Sequence, residues 1–100
     1  MIRHIVLWKL KPEAEGNPAE ENARLIKEKL ESLYGKIPEI KSIHVEMNTL
    51  KIEGNYDVIL ISEFESHAAM VAYQKNPLHE EVAAFVKKVN DGRAAIDFDF

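Results

Sequence analysis

The chain holds no cysteine among its 100 residues. Disulfides, thiolate metal sites and cysteine nucleophiles are therefore excluded. Proton or metal chemistry falls to four histidines, His4, His44, His67 and His79, with the carboxylates and tyrosines around them. His79 sits in the stretch YQKNPLHEEV, where Asn76-Pro77 stops one helical run and another begins at once. At about 100° per residue, His79 lies roughly 70° from the centre of the stripe Val82, Phe85, Val86 and Val89. That flank can look into a space between helix and sheet. A place in the first turn, at the positive end of the helix dipole, disfavours the imidazolium, while Glu80 and Glu81 favour it. Acid/base work, packing and simple solvation all fit such a residue.

The other histidines say less. His4 lies between apolar neighbours, where a buried structural imidazole bonded to a carboxylate or a carbonyl is an alternative to a reactive one. His44 and Glu46 share a strand face two residues apart and read as a solvated edge. His67 and His79 fall on different helical segments, so no metal site is expected. The four glycines are scattered at turns, without the clustered spacing of a phosphate loop. No nucleotide, flavin or other cofactor is implied.

These residues are carried by four strands and two helices, the second helix in two pieces. Ile2 to Leu10 is apolar on both faces, with His4, Val6 and Trp8 pointing one way and Ile5 and Leu7 the other, as in a central strand. The loop KPEAEGNP leads into a helix for which Asn17 is the expected N-cap, Pro18 the first residue, and Glu20 and Glu21 the acidic first turn. Ala23, Ile26, Leu30 and Leu33 recur at helical spacing, Tyr34 extends the stripe, and Gly35 and Pro38 end it. Ile40 to Asn48 alternates, with Ile43, Val45 and Met47 opposite His44, Glu46 and Asn48. Tyr56 to Phe64 is again apolar on both faces. Ser66 caps a helix through Tyr73 or slightly beyond. Pro77 to about Val89 follows, closed by Asn90, Asp91 and Gly92. In Ala94 to Phe100, Ile96, Phe98 and Phe100 alternate with Asp97 and Asp99.

The order βαββαβ, with its second helix broken, predicts an α+β, ferredoxin-like fold. Its four-stranded antiparallel sheet has order 4-1-3-2 and helices on one face. The two strands that are apolar on both faces are those this topology places centrally. Their uncovered side would expose a contiguous apolar patch, which marks an interface. A homodimer with two sheets face to face, forming a dimeric α+β barrel, is expected. A monomer whose loops cover the face is the alternative.

At 46% hydrophobic and 30% charged residues the balance is that of one ordinary globular domain spanning residues 1–100. The net charge of −4 and the lack of basic clusters argue against a nucleic-acid partner. MIRHIVLWKLK reads as a strand rather than a signal peptide. No segment approaches the roughly 20 apolar residues of a membrane span. A cytoplasmic location is expected, with no membrane partner.

With these elements in place, three stretches acquire a likeness. MIRHIVLWKLK, FESHAAMVAYQKNPLHEEV and the closing AAIDFDF, in that order and spanning the chain, resemble stress-responsive A/B barrel (Dabb) domain proteins. The resemblance implies a dimeric barrel. Its members include plant polyketide cyclases that need no cofactor. In those, a histidine of the first strand and one after the helix-breaking proline face one pocket near a helix tyrosine. The matching positions are His4, His79 and Tyr73. The closing-strand acid is Asp97, with Asp99 equal to it by residue type. Trp8, Val6, Phe85 and Val86 are expected to supply apolar walls suited to a flat ligand. Within such a set an imidazole can take a proton, a phenol can donate one, and a carboxylate can fix the tautomer.

Three readings follow. The first is a homodimer that binds a small apolar or aromatic molecule. The second is a cofactor-independent acid/base enzyme resembling the cyclases. The third is a structural stress protein without a ligand. Related dimeric-barrel monooxygenases are a further enzyme class, but no residue here selects oxygen chemistry.

Overall fold

A computed structural model describes residues Met1–Phe100. In chain order the elements are β1 (Ile2–Leu10), β2 (Glu13–Ala14), β3 (Asn17–Pro18), α1 (Ala19–Glu31), β4 (Ile40–Met47), β5 (Val58–Phe64), α2 (His67–Lys75), α3 (Pro77–Val89) and β6 (Asn90–Asp99). The main sheet is antiparallel, with order β4-β5-β1-β6. Counting only its four long strands, that is the expected 4-1-3-2 seen from the other edge. β1 and β5 are central because both their faces are apolar and neither can border water.

One sheet face carries the core. Along β1, Ile2, His4, Val6, Trp8 and Leu10 are buried and alternate with more exposed residues. β5 does the same through Val58, Leu60, Ser62 and Phe64. Onto this face pack Ala23, Ile26 and Leu30 of α1, Met70 and Tyr73 of α2, and Val82, Val86 and Val89 of α3. On the opposite face Ile5 lies across from Ile61 and Ile96, and Leu7 across from Ile59 and Ala94. Ile96 is 58% exposed and Phe98 38% exposed. This apolar strip is bordered by the Arg3–Glu63 ion pair at 2.6 Å.

The Asn-Pro break works as the residue types suggest. Ser66 Oγ accepts the Ala69 amide at 3.1 Å and starts α2. Asn76 ends that helix and caps the next, its Oδ1 accepting the Leu78 amide at 2.9 Å, with Pro77 in the first turn. Pro77 forces Asn76 out of the helical region, so the second helix restarts on a new axis.

Three expectations are corrected. Asn17 is not the N-cap of α1: Pro18 takes that position with no side-chain cap bond, and the helix starts at Ala19. The preceding loop folds instead into the β2–β3 hairpin, whose turn residues Glu15 and Gly16 have φ of 52° and 78°. Two consecutive positive φ values are the signature of a two-residue hairpin turn. Asn17 then belongs to a strand, and its Nδ2 donates to Oδ1 of the fully buried Asn22. Tyr34 does not extend the α1 stripe. The helix ends at Glu31, Gly35 turns the chain at φ 85°, and Tyr34 is left 61% exposed. Finally, β6 begins at Asn90 rather than Ala94, because Asn90 and Gly92 already pair with Leu10 and Lys9 of β1. Asp91 and Gly92 are strand residues and not a helix stop.

Candidate functional site

His4 stands mid-strand in β1, flanked in register by Ser62 of β5 and Asp97 of β6. It is 5% exposed. Ser62 Oγ donates to the His4 carbonyl at 3.1 Å. The His4 Nδ1 meets the Asp97 carboxylate directly across the strand pair. Register separates the two acids of the closing strand: Asp97 lies opposite His4, and Asp99 opposite Ile2. Directly opposed residues on one sheet face sit about 5 Å apart at Cβ, close enough for this bond.

His79 is held from the helical side. Its Nδ1 lies 3.1 Å from the Gln74 carbonyl, which can only accept, so Nδ1 carries the hydrogen. Its ring packs on Tyr73 with centroids 4.5 Å apart. Burial holds the imidazole below its ordinary value of 6.5, and the neighbouring His4 adds to this against the opposing pull of the Gln74 carbonyl and Glu80. Tyr73 is fully buried, stacked at 4.8 Å on Phe64. Its hydroxyl has no hydrogen-bond partner, and burial pushes the phenol above its ordinary value.

A depressed imidazole binds fewer protons in the folded than in the unfolded state, so stability is full above about pH 6.5 and declines as pH falls toward the folded value. His79→Gln is expected to flatten the denaturation midpoint across that acid window. An unchanged slope would place the titrating group elsewhere.

A cavity of about 240 Å³ opens between β1 and α3, lined by His4, Val6, Trp8, Leu60, His79, Val82 and Val86, among others. The expected Val6, Trp8 and Val86 are therefore on its wall with both imidazoles. Phe85 is not: it is half-buried, with the Lys29 ammonium 5.0 Å from its ring centroid. Tyr73 does not line the cavity either but backs the His79 ring. Asp97 stands behind His4. Leu30, Gln74, Ala83, Lys87, Asn90 and Arg93 complete the lining and were not foreseen. Arg93 was within reach, because period-two alternation from Asp97 through Ala95 puts it on the same face once β6 is drawn long enough.

Each of the two imidazoles has its Nδ1 engaged by an oxygen acceptor. The Nε2 atoms are left free, in a mostly apolar pocket. His44 lies outside this arrangement, exposed on β4 with Nε2 2.8 Å from Glu46 and Nδ1 3.7 Å from Glu31. His67 is exposed at the start of α2. No group of three or more His, Asp or Glu side chains is placed to hold a metal ion, and no helix is long and apolar enough to cross a membrane.

A family model described as the stress responsive A/B barrel domain matches residues 2–100. No curated protein matches the sequence. Among solved structures, a dimeric protein of unknown function and ferredoxin-like fold from Bacteroides fragilis superposes with TM-score 0.85 at 29% identity, over 99% of this chain and 95% of that one. A protein from Arabidopsis thaliana does so with TM-score 0.80 at 25% identity, over 99% and 94%. The hydroxynitrile lyase from Passiflora edulis shares the fold, with TM-score 0.77 at 16% identity over 97% and 90% of the two chains.

Proposed function

We propose that this chain, which belongs to the stress responsive A/B barrel domain family, is a homodimer that holds a small apolar or aromatic molecule between β1 and α3. Support for the dimer comes from the uncovered strip of Ile5, Leu7, Ile59, Ile61 and Ile96, and from structural neighbours described as dimeric. The cavity carries the ligand reading. Its volume of about 240 Å³ falls below the roughly 300 Å³ at which drug-sized sites begin, so the occupant is small.

Trp8, the only tryptophan of the chain, lies on the cavity wall and reports occupancy by its fluorescence. A small aromatic such as naphthol is expected to change that emission saturably in the wild type. Val86→Phe, which fills the cavity, is expected to remove the change. A response that survives in Val86→Phe would move the ligand elsewhere, and no response to any small aromatic would leave a structural protein.

A second reading, proton transfer on the bound molecule, is favoured by the way the imidazoles are held. The Gln74 carbonyl fixes the His79 hydrogen on Nδ1, and burial keeps the ring neutral. Its Nε2 is then a ready base for an acidic C–H or O–H, while the Asp97 carboxylate holds the tautomer and orientation of His4 on the facing wall. With benzoylacetone as probe, exchange of the acidic carbon hydrogen for deuterium should be faster in the protein than in buffer. His79→Ala should slow it about a hundredfold. Equal exchange in wild type and variant would end this reading and leave the binding reading standing.

A further inference from the structure

The cavity has two chemically different ends. Along α3 it runs from His79 through Val82, Ala83 and Val86 to Lys87 and Asn90. Along β1 it runs from His4 through Val6 to Trp8. β6 is antiparallel to β1, with Asp97 opposite His4 and Arg93 opposite Trp8. The two imidazoles therefore mark one end, and Lys87 and Arg93 the other. From His79 to Lys87 is roughly 12 Å of helix, and from His4 to Trp8 roughly 13 Å of strand, so the two walls agree on the length.

The cationic end brings two basic side chains to one mouth of the cavity. Net charge is −4, and Arg3, Lys9, Arg24, Lys27, Lys41 and Lys88 each lie within 4.0 Å of a carboxylate. Lys87 and Arg93 belong to none of the ion pairs, and no carboxylate lines the cavity beside them. Two unpaired cations at one end of the cavity, one from α3 and one from β6, repel each other, and an anion placed between them relieves that repulsion.

We infer that Lys87 and Arg93 form an anion subsite, and that the molecule held here is an amphipathic carboxylate whose apolar body lies against Val6, Val82 and Val86. The inference rests on the ligand reading of the cavity. The guanidinium can grip a carboxylate with two parallel bonds, while the lysine acts as a mobile point charge. Long lysine and arginine side chains can lay their aliphatic stems along apolar surface. The carboxylate thus sits short of the full span, and the opposite end of the ligand meets the imidazoles.

Phenylalkanoates from phenylacetate to phenylhexanoate, each paired with its neutral primary amide, test this by Trp8 fluorescence. In the wild type the best carboxylate should bind about tenfold more tightly than its amide at low salt, and added salt should narrow the gap. In the Lys87→Gln/Arg93→Gln double variant the gap should close to within about twofold, because the acid loses its charge partners while the neutral amide had none. If acid and amide bind the wild type equally, or the gap persists in the double variant, the anion subsite is wrong and the ligand reading stands. If neither series alters Trp8, both fall together.

Discussion

Leu7→Glu is expected to convert the protein from dimer to monomer in sedimentation at micromolar concentration, with its circular dichroism intact. Leu7 sits in the middle of the strip that no helix covers, across from Ile59 and Ala94. On β1 and β5 the residues of this face, Ile5, Leu7, Ile59 and Ile61, are half-buried within one chain, while Ile96 and Phe98 are exposed. In a two-fold interface each substitution occurs twice, so one exchange places two carboxylates in the apolar centre. Desolvating an unpaired charge costs several kcal/mol. Even about 4 kcal/mol corresponds to roughly a thousandfold weaker association. The fold itself has little reason to suffer, since Leu7 faces away from the core formed by Val6, Trp8 and the helices. A second signature is the melting temperature, which rises with concentration only while a dimer exists. Leu7→Glu remaining dimeric would show that the sheet face is not the contact.

The same alternation makes this face legible in the sequence. A strand that is apolar on both sides needs two covers, and the βαββαβ order supplies only one layer of helices. Residue spacing likewise placed His4 with Val6 and Trp8, because period two is a property of the extended chain. What spacing does not contain is register. Asp97 and Asp99 point to one face and differ only in which β1 residue each one meets. That depends on where β6 starts, and Asn90 and Gly92 look more like a turn than a strand until Leu10 and Lys9 pair with them. The same missing register hid Arg93. The Asn17 error has a local cause: Asn-Pro is a good helix start in isolation, but Glu15-Gly16 tightens the loop into a hairpin that claims Asn17. Phe85 shares the apolar stripe of α3 with Val82, Val86 and Val89. The angle is right for the core flank, yet it does not say that the flank meets α1, where Lys29 lies against the ring.

Tyr73 shows where packing and chemistry pull apart, and its two substitutions should move in opposite directions. Tyr73→Ala removes a fully buried ring that touches Phe64 and His79, at a cost of about 3–5 kcal/mol. Tyr73→Phe keeps the ring and deletes only the hydroxyl, a buried group without a partner. Such a group carries its desolvation cost with nothing to offset it. The phenylalanine variant should therefore be more stable, by about 1 kcal/mol, or a melting temperature about 5 °C higher at fixed protein concentration. The hydroxyl does not line the cavity but lies behind the His79 ring, and burial holds the phenol protonated across neutral pH. Tyr73→Phe should therefore gain stability while leaving affinity for the ligand and deuterium exchange unchanged. Urea denaturation and the Trp8 titration read the two effects separately. A variant that loses binding or exchange would show that the hydroxyl reaches the bound molecule. A less stable one would mean that the hydroxyl finds a partner in solution.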